Sequence, residues 1–326
     1  MNSQVLDERK WNVLTTKPPG SEEWNEKHVG KWGGNDIASI LGVGFKSRLR
    51  LWGETTGRIE REDISRKPHV RLGTLLEPIV MQLYTDERGD KILPSPGLVQ
   101  HPTLDYVAVT SDGIIEREGQ PLANFSAKTF NVFRRKEWER DVPLRAQVQA
   151  HAEMWVLGID VTIYAALCRD GEIEEEEDAD EQYVPREDSL LLWAERERRN
   201  DLIELIGNEV VDFREKHVVR DIPPDPGSDL KVVKAIWKKE IPDKVATLSA
   251  ELELAWFRNK ELAAMRTAAK KEQDELKAKI LVAMGDAEYA LSPGNVVLRA
   301  REYTVEPKMH PGYSARPLIS VKKIGA

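Results

Sequence analysis

Cysteine is nearly missing from this chain: one residue, Cys168, in 326. Intrachain disulfides and cysteine-based zinc sites are excluded. Cys168 itself closes the apolar run Val161-Thr-Ile-Tyr-Ala-Ala-Leu-Cys168, where a buried, unreactive thiol is expected. Long hydrophobic runs are missing too, and residues 1–9 are polar and partly acidic. Neither a membrane span nor a secretory signal is expected, and the protein reads as cytoplasmic. There is no excess of positive charge: 48 Lys and Arg stand against 56 Asp and Glu, for a net charge of −8. Net charge governs solubility and steering and leaves open what a local groove can hold. Much of the acidic excess is one run, EIEEEEDADE at 172–181, expected to be a solvated hairpin tip or loop rather than a metal site. No internal repeat is present.

What remains is a soluble globular composition, 40% hydrophobic and 32% charged, long enough for one large or two modest domains. GGNDIASILGVG, from Gly33 to Gly44, predicts a short helix capped at Asn35 or Asp36. Helical spacing recurs from Leu49 to Gly57 and from Leu72 to Arg88. In the second, Leu75, Leu76, Ile79, Val80, Leu83 and Tyr84 make a broad apolar face, and Pro78 is tolerated if it falls in the first turn. Strands are expected at Leu98 to His101, Val107 to Thr110, Ile114 to Glu116 and Asn124 to Phe130. A helix from Leu144 to Leu157 ended by Gly158, a buried strand from Val161 to Cys168 and a long charged helix from Leu190 to Lys216 complete an α/β core with a mixed sheet.

Clustered prolines in DIPPDPGSD mark the clearest boundary. They divide the chain into a domain over 1–222, a linker over 223–230 and a C-terminal segment over 231–326. Beyond the linker, Leu248, Leu252, Ala255, Asn259, Leu262, Arg266, Ala269, Gln273, Leu276, Ile280 and Ala283 follow a heptad seam. Its polar centre favours a short helical hairpin or an arm packed on a partner. Gly285 is a suitable cap, and a β-like tail includes Val296 to Arg299.

Three features point to one chemistry. Asp112 lies in TSDG at the end of an apolar strand. Ser126 and Lys128 share a face of the next strand, and Glu77 lies on the preceding helix. Cleaving a phosphodiester with a metal ion needs hard oxygen ligands that leave water and phosphate positions open, and a cation such as lysine beside them. Trp24, Trp32 and Trp52 sit among apolar residues and are expected in the core rather than stacked on bases. His101 and His151 lack zinc-ligand spacing.

The same segments resemble a known family, the YqaJ-type viral recombinases, a lambda-exonuclease-like branch of the PD-(D/E)XK nucleases. The resemblance runs from about Trp24 to Asp225. GGNDIASILG is similar to the entry motif and LWGETTGR, from Leu51, to the family's "LW..KTG" helix. RLGTLLEP, ending at Pro78, resembles "GTLLEP", and TSDG stands for "SPDG". SAKT, from Ser126, stands where "E-x-K-T" is expected, and Gln147-Val-Gln149 before MWVLG matches "QVQ…VTG". The resemblance implies a PD-(D/E)XK restriction-endonuclease-like core with a C-terminal helical arm and small β-containing tail. It implies a Mg²⁺-dependent deoxyribonuclease, with Mn²⁺ substituting, that resects double-stranded DNA ends 5′ to 3′ for phage-type recombination in a bacterial cell. It further implies a homo-oligomer and a single-strand annealing partner. Asp112 would bind the metal, Lys128 orient the water, and Glu77 act through the metal's water shell. The active-site glutamine falls on Gln149 if the distance to Gly158 is kept, or on Gln147 if QVQ is matched literally; Gln149 is preferred.

Two positions depart from the family. Ser126 replaces the second metal-binding carboxylate, forfeiting an interaction of roughly several kcal/mol at an effective dielectric near 20. Some relatives with serine there supply the acid from the following helix, which makes Glu137, Glu139 and Glu153 the candidates. The alternative is a catalytically impaired protein that binds or scaffolds DNA ends; an endonuclease is a third reading. The family's 5′-phosphate contacts, an arginine and a serine, fall on His28 and Asn35, so the grip would become pH-dependent. Lys31, Lys46, Arg48, Arg50, Arg134, Arg135 and Lys136 are candidate phosphate contacts.

Overall fold

The computed structural model describes residues 11–64, 67–116, 122–169, 191–238, 245–294, 296–301, 303–305, 313–315 and 318–321; the acidic run at 172–181 lies outside them. Strand β1 (Asn12–Thr15) precedes helices α1 (Glu22–His28), α2 (Gly34–Ile40), α3 (Arg48–Thr55) and α4 (Pro68–Arg88). Strands β2 (Lys91–Pro94), β3 (Leu98–Gln100), β4 (Ala108–Thr110), β5 (Gly113–Glu116) and β6 (Ala123–Asn131) follow, then α5 (Arg135–Arg140) and α6 (Leu144–Leu157). Next come β7 (Val161–Arg169), β8 (Leu191–Glu197), α7 (Asn200–Phe213), a π-helical turn (Arg214–Val219) and α8 (Leu230–Ile236).

The main sheet has the order β2-β5-β6-β7-β8. Only β6 and β7 are parallel, and α6 makes their crossover. Strand period decides what each face buries. On β7, Ile163, Ala165 and Leu167 pack with Val80 and Tyr84 of α4, while Tyr164 packs with Ala146 and Ala150 of α6. Ala166 and Cys168 pack with Phe130, so the lone thiol is buried as expected. A second sheet, β1-β3-β4, joins α2, α3, α6 and α7 around a core that holds Trp32 and Trp52. The mixed sheet flanked by helices is the α/β architecture expected for a PD-(D/E)XK core.

Several elements differ from expectation. Leu191–Glu197 is the fifth strand, antiparallel to β7, where the sequence suggests the start of a long helix. The open edge of β7 gives these residues ladder bonds that an isolated apolar-then-charged run does not announce. Gly33, rather than Asn35 or Asp36, caps α2. Helix α4 begins at Pro68, which leaves Pro78 in its interior, not its first turn. Of its expected apolar face only Val80 and Tyr84 are buried, Leu76 is half-buried, and Leu72, Leu75, Ile79 and Leu83 are exposed.

The described residues before 240 form one compact unit and those after 241 another. The first unit includes α8: Ser47 donates to Asp229 at 2.7 Å, Val232 joins the core, and Trp237 lies 6.3 Å from Trp52. In the second unit, α9 (Ala250–Met284) is one continuous helix along the heptad seam, not a hairpin, capped at Gly285. Strands β9 (Tyr289–Leu291), β10 (Val297–Ala300), β11 (Tyr303–Val305), β12 (Tyr313–Ala315) and β13 (Leu318–Val321) form the sheet β13-β10-β9 and the pair β11-β12. No helix among the described residues is long and apolar enough to cross a membrane.

Candidate active site

Asp112 occupies the step at which the chain leaves the small sheet through β4 and enters the main sheet through β5. Gly113 makes the step possible, because a Cβ there would fall 2.7 Å from Ile92 and 3.1 Å from the Leu93 carbonyl. The Asp112 carboxylate accepts the Ala127 N–H at 2.8 Å and stands 3.7 Å from Lys128 Nζ on the neighbouring strand. An acid and an amine from adjacent β-segments therefore meet on one side of the sheet.

Alternation along β6 places Asn124, Ser126 and Lys128 on the face that α6 covers. Asn124 is wholly buried; its amide donates to Glu153 Oε2 at 2.8 Å and to Thr162 at 3.3 Å, and its carbonyl accepts from Ser111. Gln149 donates to the other oxygen, Glu153 Oε1, at 3.0 Å. Glu153 is only 3% exposed. Burial pushes its pKa up to about 7, with Lys128 opposing and Asp112 adding to the shift. Burial likewise raises Glu77 to about 7, again with Asp112 raising and Lys128 lowering. Two carboxyls from the helices on either side of the sheet thus respond to the same Asp112–Lys128 pair.

Of the three acids proposed to replace the missing carboxylate, only Glu153 reaches this group. Glu137 is paired with Arg134 at 2.7 Å and Glu139 with Arg135 at 2.7 Å, on exposed surface. Gln149 is engaged at the site, while Gln147 donates to the Val142 carbonyl at 2.7 Å. Among the described residues, buried Ser126 has no hydrogen-bond partner for Oγ, and the hydroxyl of Tyr164, its register partner on β7, has none either. Gly34 lets α2 press against α6, since a Cβ there would lie 2.6 Å from Gln149 Cγ.

Among the described residues, no three carboxylate, imidazole or thiol groups stand together as a ready-made cation site. The donor set still fits Mg²⁺, which keeps several waters and takes one or two carboxylates plus substrate phosphate oxygens. Asp112 and Glu153 offer the carboxylates, and Ser126 Oγ, on the same strand face as Lys128, is a buried oxygen with no hydrogen-bond partner among the described residues.

The residues aligned with the phosphate pocket are less suited to it. His28 is buried, stacked on Trp24 at 4.3 Å, and its pKa is lowered to about 4, first by burial and then by Arg61, Lys46 and Lys31 against the opposing Asp36. It is neutral at physiological pH. Asn35 is exposed and accepts from Arg145 at 3.4 Å. Most of the expected cations are neutralised internally: Lys46 by Asp36 and Glu54, Arg50 by Glu54 and Glu62, Arg48 by Glu209, and Arg134 and Arg135 as above. Lys31 donates to the Asp105 carbonyl, and Lys136 is exposed. His101 and His151 are held by local backbone hydrogen bonds. Trp32 and Trp52 are core residues, and half-buried Trp24 donates to Thr110.

Residues 23–160 match the family model of the YqaJ-like viral recombinase domain. This stretch of the chain is similar to the YqaJ-like viral recombinase domain. Glu77, Asp112, Ser126, Lys128, Gln149 and Glu153 all fall inside it. No curated protein matches the chain. Among solved structures, it is similar to LHK-Exo in complex with dAMP, at 20% identity over 61% of this chain and 94% of that one, with a TM-score of 0.46. A further structure, the alkaline exonuclease LHK-Exo from Laribacter hongkongensis, matches at 18% identity over 61% and 94%, TM-score 0.45. A phage-related exonuclease from Haemophilus somnus 129PT matches at 13% over 63% and 88%, TM-score 0.40. The matched stretch accounts for the part of the first unit that holds the candidate site; the sequence after 160 lies beyond the matched model.

Proposed function

We propose that this chain is a Mg²⁺-dependent deoxyribonuclease, an exonuclease that degrades double-stranded DNA ends 5′ to 3′ and leaves single strands for phage-type recombination. The observation that carries the reading is the 3.7 Å approach of Lys128 to Asp112 across neighbouring β-segments, with Glu153 and Glu77 responding to both. The similarity of residues 23–160 to the YqaJ-like viral recombinase domain supports it.

In this reading Asp112 and Glu153 would hold the cation, Mg²⁺ or Mn²⁺ in its place, and Glu77 would assist them. The bound cation supplies charge neutralisation on the phosphate and a more acidic water. Lys128 and Gln149 orient the water that attacks phosphorus; as the new P–O bond forms the water's proton passes to solvent, the bond to the leaving sugar oxygen breaks and that oxygen takes a proton from solvent, and the Lys128 ammonium offsets the developing negative charge. Asn124 and Gln149 fix the Glu153 carboxylate. The exposed stripe of Leu72, Leu75, Ile79 and Leu83 on α4 supports a homo-oligomer, since a second copy can bury it. Exposed α9 is the surface for a single-strand annealing partner.

Ser126 and the absence of a preformed three-carboxylate cluster among the described residues favour a second reading, a DNA-end-binding or scaffolding protein without cleavage. Incubating the purified chain with linear duplex and Mg²⁺ separates the two. The first reading expects strand loss from the 5′ end, and none after Asp112→Ala or Lys128→Ala. Retained end binding without strand loss selects the second, and cutting of closed circular DNA replaces the exonuclease with an endonuclease.

A further inference from the structure

Arg145, at the start of α6, is a cation with no acid in ion-pair distance among the described residues. Its guanidinium lies 3.8 Å from the centroid of the Phe45 ring and donates to Asn35 at 3.4 Å. Glu137 acts on Arg145 from beyond ion-pair distance but is itself paired with Arg134, and the other candidate cations Lys46, Arg48, Arg50 and Arg135 each have an acid of their own. Arg145 is half-buried, so its charge is partly desolvated without a partner, an arrangement that favours an incoming anion.

Phe45 is 77% exposed, with the Arg145 guanidinium over its ring. Its loop is nevertheless pinned: a Cβ on the preceding Gly44 would collide with Ser39. With the guanidinium on its ring, Phe45 still has surface free for a second flat group.

The place of the pair along α6 supplies the ligand. Arg145, Gln149 and Glu153 are spaced four residues apart, on one face, so Arg145 lies about 12 Å along the helix from Glu153. A molecule held at Arg145 is therefore in line with the catalytic cluster.

We propose that Phe45 and Arg145 form a nucleotide-holding platform in which an unpaired nucleotide of the DNA strand stacks its base on Phe45 and places its phosphate on the Arg145 guanidinium. Planar guanidinium suits phosphate because it presents paired N–H donors, and base stacking on an aromatic ring is sequence-tolerant. Arg145 thus supplies the fixed positive charge that neutral His28 does not. The ligand class rests on the deoxyribonuclease reading of the neighbouring cluster, but the platform is tested by binding alone.

The test uses the full chain in EDTA, where no cleavage occurs. The probe is a duplex with a short 5′-phosphorylated unpaired end that carries 2-aminopurine, followed by anisotropy and by 2-aminopurine fluorescence. Phe45→Leu is expected to abolish the fluorescence change on binding and weaken Kd about tenfold. Arg145→Gln should weaken Kd and reduce the slope of log K against log salt by about 0.7, one phosphate contact on a single strand, with Arg145→Lys intermediate. Unchanged Kd, fluorescence and salt slope in both Phe45→Leu and Arg145→Gln overturn the proposal, as does an equal loss of affinity for blunt duplex without unpaired nucleotides. If wild type degrades no DNA with Mg²⁺ while these binding differences persist, the nuclease reading fails and the platform stands.

Discussion

Glu153 sits where the stability of the fold and the chemistry of the site pull in opposite directions. Its pKa is raised from 4.5 to about 7, so the folded protein binds this proton more tightly than the unfolded chain does. That advantage is complete below about pH 4.5 and is lost as pH rises through about 7. Glu153→Gln, without metal, is expected to melt near wild type at pH 4.5 and to be more stable by about 2 to 3 kcal/mol at pH 8, while losing cleavage. Thermal melts at both pH values check the sign. Glu137→Ala and Glu139→Ala, whose partners are exposed arginines, should leave cleavage unchanged. Ser126→Ala removes a buried hydroxyl with no partner, so it should hold or raise stability by up to about 1 kcal/mol. Loss of cleavage in that variant would instead make Ser126 a working oxygen ligand. Asp112, Lys128 and Glu77 were singled out on residue type, order, strand period and the family resemblance, and the fold brings Lys128 to 3.7 Å from Asp112. Asn124 was not singled out, although it alternates with Ser126 and Lys128, because a buried asparagine declares itself only through its partners. The choice of Glu153 over Glu137 and Glu139 likewise needed the packing of α6 on the sheet.

At the scale of elements, α6 was readable to its ends because apolar spacing stops at Gly158, which takes the left-handed conformation at φ 62°. Strand β8 was not, since seven residues of apolar-then-charged sequence gain their ladder from β7 and have no strong preference of their own. The short β1 and β2 also escaped notice, each being four residues long. In α4 a family-like "LLEP" string hides a proline that cannot donate to the Thr74 carbonyl. Pro78→Ala should therefore stabilise the protein by about 1 to 3 kcal/mol, read as a higher urea midpoint. Gly34→Ala works in the other direction. The new methyl must push back Gln149, so a loss of about 1 to 3 kcal/mol is expected, together with slower cleavage.

For the whole molecule, charge was the least informative property. A net −8 left the nucleic-acid question open, and many candidate surface cations turned out to be satisfied by nearby acids, information that no linear count contains. The apolar stripe on α4 was legible as a helix face but not as an exposed one. If a second copy covers it, Leu75→Asp with Ile79→Asp should lower the sedimentation coefficient without lowering the melting temperature. The central claim is that Asp112 and Glu153 gather around one divalent ion beside Lys128. A crystal soaked in Mn²⁺ and measured at the manganese absorption edge tests it most directly. The account predicts a single anomalous peak in contact with an Asp112 oxygen and with Glu153 directly or through one water. A peak elsewhere, or none in crystals of protein that degrades DNA, would contradict it.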